Sequence, residues 1–157
     1  MKPTVYIETT VVSYLTARAS NDPLVAGEMA ETQKWWRDVG PDYDLTTSQL
    51  VIDEASRGDP IAAQERLAIL ASLDLLPITE SAKALALSLV NENALPAKAQ
   101  VDALHVAIAA TNGIEYLITW NCRHLANATL RSRIEQVCRE SGFEPPVICT
   151  PLELSKV

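Results

Sequence analysis

The feature that most constrains this chain is the regular alternation of short apolar runs with longer helical stretches. Val5-Tyr6-Ile7, Asp44 to Thr47, Leu75 to Ile78, Tyr116 to Thr119 and Val147 to Cys149 read as strands. Thr10 to Ala17, Asp22 to Val39, Gln49 to Arg57, Ile61 to Ser72, Thr79 to Val90 and Ala97 to Thr111 read as helices between them. A short helix near Arg123 and a longer one from Thr129 to Ser141 complete the pattern. The punctuation agrees: Thr9 or Thr10 can cap the first helix, Gly58-Asp59-Pro60 breaks the third from the fourth, and Asn112-Gly113 stops the Ala-rich one. Strands joined through helices lie parallel, because parallel neighbours need a crossover. The expected fold is therefore α/β, with a mostly parallel central sheet of four to five strands covered by helices on both faces.

Composition sets the scale. The 157 residues are 48% hydrophobic and 21% charged, enough apolar mass for a core and far from the composition of disordered chains. One domain spanning residues 1–157 is the expectation. The formal charge of −7 argues against a protein that coats nucleic acid with many cations. Cys122, Cys138 and Cys149 form no CxxC pair and have no cluster of His at zinc spacing, so they read as reduced thiols. The chain enters its first strand almost at once and has no apolar run of about 18 residues, so neither a signal peptide nor a membrane span is expected. A cytoplasmic location follows as an expectation.

In an open parallel sheet, ligands bind beyond the carboxyl ends of the strands. Glu8 ends the first strand, and the residues after it, Thr9-Thr10-Val11-Val12, contain no glycine, which excludes a dinucleotide fingerprint there. Neither a Walker motif nor a Gly-x-Ser-x-Gly elbow occurs. Glu54 lies on the helix after the second strand, Asp102 within the apolar run Val101 to Ile108, and Asn121 just beyond the fourth strand. Together they form the oxygen-only donor set that Mg²⁺ or Mn²⁺ prefers.

Each residue also has a plainer reading. Glu8 can accept backbone N–H groups at the start of a helix; Glu54 can be a solvated helix acid near Arg57, with Asp53 competing for its role. Asp102 can be a buried acid paired with His105, and Asn121 can cap the turn that follows it. Thr9 and Thr119 read as hydroxyls that satisfy local backbone groups. His105 reads as a satisfied core residue, and Arg123, His124 and Arg131 as a solvated basic face, with contact to nucleic-acid phosphates as the alternative.

The order of these segments resembles that of a PIN domain, in particular the VapC-like ribonuclease toxins of toxin–antitoxin systems. Tyr6-Ile7-Glu8-Thr9-Thr10 is similar to the opening strand with its acidic end, Thr47-Ser48 with Glu54 to the second acidic segment, Asp102 to Ala109 to the third, and Leu117 to Asn121 to the fourth. The resemblance implies a three-layer α/β/α fold and an endoribonuclease that uses Mg²⁺ or Mn²⁺, with Glu8, Glu54, Asp102 and Asn121 as catalytic and metal-binding residues. The implied partners are an RNA substrate, a cognate antitoxin and a second copy of the chain in a homodimer; no membrane is involved. An antitoxin would dock on the helices from Thr10 to Val39, anchored by Tyr14, Trp35 or Trp36. Two positions depart from the usual pattern, Glu8 and Asn121, where Asp is common. They motivate the alternative of a catalytically weak or inactive module that binds RNA or protein.

Overall fold

The computed structural model describes residues 1–156. Five strands, β1 (Thr4–Ile7), β2 (Asp44–Ser48), β3 (Asp74–Leu76), β4 (Tyr116–Ile118) and β5 (Val147–Cys149), form one sheet in the order β3-β2-β1-β4-β5. Every pairing is parallel. Seven α-helices connect them: α1 (Thr9–Thr16), α2 (Pro23–Asp38), α3 (Gln49–Ala55), α4 (Pro60–Leu70), α5 (Glu80–Asn91), α6 (Gln100–Thr111) and α7 (Ala128–Glu140).

The period of two along each strand sorts the core into two layers. Tyr6, Leu117 and Ile148 lie side by side in the register and face a cluster built from α5, α6 and α7 with residues of α3 and α4. Their neighbours Ile7, Ile118 and Cys149 face the other side, against Val11 of α1 and Trp35 of α2. The central strands β1 and β4 are therefore largely apolar on both faces, as parallel strands covered by helices require. The expected three-layer α/β/α arrangement is what the chain adopts.

Several local boundaries differ from the sequence reading. The cap of α1 is neither Thr9 nor Thr10 but Glu8, whose side chain accepts from Thr10 N–H. No helix forms near Arg123: the Asn121 carbonyl accepts from both Leu125 and Ala126, which closes a single turn before Asn127 caps α7 at Ala128. The stretch from Ala97 splits into a 3₁₀ turn over Ala97–Ala99 and then α6. That split moves Asp102 from the middle of an apolar helix to its first turn, where the positive end of the helix dipole favours a carboxylate.

Strand order fixes where a ligand can enter. The chain proceeds outward from β1 to β2 and β3, then crosses back to place β4 on the other side of β1. The order of strand addition therefore reverses between β1 and β4, and the crevice beyond their carboxyl ends is the expected binding position in such a topology.

Candidate functional site

At that crevice Glu8 follows β1 and Thr119 follows β4, and they meet: Thr119 Oγ1 donates to Glu8 Oε2 at 2.7 Å. The same carboxylate oxygen accepts from Thr10 N–H at 3.1 Å and Thr10 Oγ1 at 2.5 Å. Glu8 is thus buried at 4% exposure, with one oxygen committed to the start of α1 while Oε1 takes no hydrogen bond from the described residues. Its burial is supported by three donors, and the plainer role as a helix-start carboxylate is fulfilled. Thr9 holds the Glu54 side chain rather than local backbone, whereas Thr119 does both, donating to Glu8 and accepting from the Asn121 N–H.

Glu54 is brought in by α3. Ser48 caps that helix, and the turn from β2 aims Glu54 inward while its neighbour Asp53 stays exposed and accepts from Gln49. Glu54 Oε1 accepts from Thr9 Oγ1 at 2.8 Å and from His105 Nε2 at 2.6 Å. Burial alone would raise its pKa. The hydrogen bond and charge of His105, the Thr9 hydroxyl and the Arg57 charge outweigh that and hold the carboxyl below the usual glutamate range.

Behind Glu54 lies a chain of polar groups that the sequence reading did not assemble. His105 Nδ1 is 2.8 Å from the Tyr6 hydroxyl, which is 2.8 Å from Ser48 Oγ. The Tyr6 hydroxyl bridges His105 Nδ1 and Ser48 Oγ, while His105 Nε2–H donates to Glu54. Tyr6 is fully buried and His105 is 1% exposed, so this relay fixes the Glu54 carboxylate from the core side. The phenol pKa of Tyr6 is pushed far up, chiefly by burial. His105 therefore is a satisfied core residue, as read from the sequence, but its partner is Glu54 and not Asp102.

Asp102 takes its partners from the turn after β4. Its Oδ1 accepts from Asn121 Nδ2 at 3.1 Å, and its Oδ2 lies 3.0 Å from His124 Nδ1. The amide oxygen of Asn121 accepts from His124 N–H at 3.1 Å. The amide turns its NH₂ to Asp102 and its oxygen to the backbone, so Asn121 holds Asp102 and caps the turn together. A further link, Asn121 N–H to Thr119 Oγ1 at 2.9 Å, connects this pair to Glu8.

Hydrogen bonds thus place Glu8, Glu54, Asp102 and Asn121 on one rim of the sheet. Among the described residues, no group of three or more His, Cys, Asp and Glu side chains is gathered closely enough to hold an ion as the side chains stand. The donor chemistry nonetheless suits a hard divalent cation: Glu8 Oε1 and Glu54 Oε2 keep unused lone pairs, and the Asp102 carboxylate is about one-fifth exposed, with a side-chain value of 20%. The hydroxyls and imidazoles that the sequence reading left outside the site had a faint signal. Thr9-Thr10 follows the first acid directly, and His105 sits one helical turn beyond Asp102.

No protein-family profile matches the sequence, and no curated protein matches it either. Comparison of structures is more informative. The chain is similar to VapC20 of Mycobacterium tuberculosis, described as a Sarcin-Ricin loop cleaving toxin, with a TM-score of 0.58 and 18% identity over 73% of this chain and 87% of that one. It is also similar to VapBC2 from Rickettsia felis, solved bound to a DNA fragment from its promoter, with a TM-score of 0.60 and 12% identity over 94% of this chain and 98% of that one. The fold is PIN-like, similar to that of both structures. Within this fold the acidic rim occupies the switch point between β1 and β4, where the topology alone would put a ligand.

Proposed function

We propose that the chain is an endoribonuclease acting as the toxin of a toxin–antitoxin pair, in the cytoplasm, with Glu8, Glu54 and Asp102 holding Mg²⁺ or Mn²⁺. The observation that carries this reading is the convergence of the sequence-derived acids on the switch-point rim of a PIN fold. The description of VapC20 as a Sarcin-Ricin loop cleaving toxin supports RNA as the substrate, and the VapBC2 complex supports an antitoxin partner.

The residues divide the work. Glu8 and Glu54 each accept donors on one oxygen and leave the other free, so both are oriented without being used up. The Ser48–Tyr6–His105 relay holds Glu54 in place, and Asn121 with His124 holds Asp102. Such preorganisation is what lets a site act without reorganising during reaction. A bound divalent cation supplies positive charge that acidifies water and polarises the phosphodiester.

The test is cleavage of total RNA by the purified chain with Mg²⁺ or Mn²⁺, repeated in excess EDTA. Cleavage that needs the cation supports the reading; undiminished cleavage in EDTA sinks its metal component, and no cleavage with either cation sinks the nuclease. A second reading, a PIN-like module with weak or no catalysis, is favoured by one observation: Asn121 presents N–H rather than oxygen to Asp102. Calorimetric titration with Mn²⁺ weighs the two: saturable binding lost in Asp102→Ala supports the enzyme, and no binding supports the module.

The antitoxin would meet an anionic mouth and could seat an Arg or Lys there. Trp35 is excluded as its anchor, being 3% exposed with its indole N–H on the Leu154 carbonyl. Tyr14 and Trp36 remain half-buried at the surface of α1 and α2.

A further inference from the structure

Beside the Asp102–His124 pair lies an open groove of about 460 Å³ between the chain entering α6 and the turn that follows β4. Lys98, Arg123, His124 and Asn127 line it over an apolar floor that includes Pro96 and Leu130, and no Asp or Glu contributes. That is unusual in this molecule. Two other grooves mix their cations with acids, Lys2 with Asp44 and Asp74 in one, Arg18 and Arg66 with Asp59 and Glu65 in another, and in the acid-free groove along α5 the single cation, Lys83, is already paired with Glu80.

The two groove cations are also free. Arg37, Lys83, Arg131, Arg139 and Lys156 are paired with carboxylates, and Arg66 and Arg133 donate to backbone carbonyls. Lys98 and Arg123 are exposed and have no hydrogen-bonding or ionic partner among the described residues; the same holds for Lys2, Arg18, Lys34 and Arg57, but Lys98 and Arg123 stand together in a groove without an acid. Arg123 is nevertheless anchored at its backbone, because Asn127 Nδ2 donates to its carbonyl at 2.8 Å. Asn127 also caps α7, so the positive end of that helix opens near the same groove. His124 forms the wall shared with the acidic rim, its Nδ1 3.0 Å from Asp102.

We infer that Lys98 and Arg123 bind a backbone phosphate of the RNA strand, next to the phosphodiester presented to the acidic rim, with the strand crossing over His124. The inference rests on the ribonuclease reading and adds to it where the substrate lies. Its physical basis is that a chain of formal charge −7 repels a polyanion except where unpaired cations face it without competing acids. Arg supplies a planar fork for phosphate oxygens, and Lys a mobile point charge beside it.

Fluorescence anisotropy of a labelled single-stranded RNA, in buffer without divalent cations, tests it on the full chain. The Lys98→Ala/Arg123→Ala double variant is compared with the parent and with Lys2→Ala/Lys34→Ala, which removes equal charge elsewhere. Affinity should fall on the order of tenfold in the groove variant, and the slope of log affinity against log salt should flatten by about 0.7 for each phosphate that is no longer neutralised. The control pair should change little. If the parent binds RNA and the groove variant binds it equally, or if the control loses as much, the groove assignment is overturned while the ribonuclease reading stands. Unchanged RNA affinity together with loss of antitoxin co-purification would reassign the groove to a protein ligand and overturn it too. A parent that neither binds nor cleaves RNA overturns both readings.

Discussion

Asp102 and Tyr6 show how much of the site depends on which atom faces which. Asp102 accepts from an amide on one oxygen and an imidazole on the other. An Asn there can reproduce both hydrogen bonds, oxygen toward Asn121 and NH₂ toward a His124 nitrogen that now accepts. Asp102→Asn should therefore keep its unfolding midpoint in urea close to that of the parent, while RNA cleavage falls by at least about 100-fold through loss of charge at the cation site. A large loss of stability would show that Asp102 is structural instead. Tyr6→Phe removes the hydroxyl between Ser48 and His105 and leaves a buried imidazole nitrogen unpaired. It should cost about 1–3 kcal/mol in urea unfolding, and it should lower kcat more than it changes KM, because Glu54 loses its support without leaving the site.

Element boundaries carry functional groups in two places. Helix α1 starts on Glu8, so the same side chain serves the fold and the site. Glu8→Gln keeps an acceptor for Thr10 and Thr119 and should retain most of the stability. Glu8→Ala strips the cap and should cost about 1–2 kcal/mol, both read from denaturant curves. At the end of α5, Asn93 adopts φ 60°, and Ala94 and Leu95 N–H both return to the Leu89 carbonyl. This left-handed position steers the chain into the segment that carries Pro96 and Lys98. Asn93→Ala should destabilise by about 1 kcal/mol or more, whereas Asn93→Gly should be nearly neutral, and matching denaturation curves for the two would rule out the backbone explanation.

For the molecule as a whole, the two layers of core predict its behaviour at high pH. Burial pushes the Cys138 thiol up to about 11 and the Cys149 thiol up to about 12, one in each core layer. A folded pKa above the unfolded one means that the folded state keeps its proton while the unfolded state releases it. Stability is then full below the ordinary thiol range near 9 and declines as pH rises through the folded values. Each thiol contributes a slope of about 1.4 kcal/mol per pH unit inside its window, and Tyr6 acts in the same direction from higher pH. Denaturant unfolding between pH 8 and pH 11 (roughly the interval in which only the unfolded thiols ionise) should show a steeper loss in the parent than in Cys138→Ala/Cys149→Ala. Equal slopes would mean that other groups control the alkaline limit.

Alternation of strand and helix was legible in the sequence because it follows from local periodicity and from the crossover that parallel strands demand. Positions for the acids were legible too: Glu8 stands at the end of β1, Glu54 on the helix after β2, and Asp102 within an apolar run on the helix before β4. What tertiary structure alone decided was their partners. His105 lies one turn from Asp102 in sequence yet bonds Glu54, 51 positions away, and His124 reaches Asp102 across 22. The Asn121 amide faces Asp102 with nitrogen because a backbone N–H in its own turn had already claimed the oxygen. Local sequence governs backbone conformation through short-range sterics, but a buried polar group takes whichever donor or acceptor the packed elements bring within reach, and only the assembled sheet and helices determine which one that is.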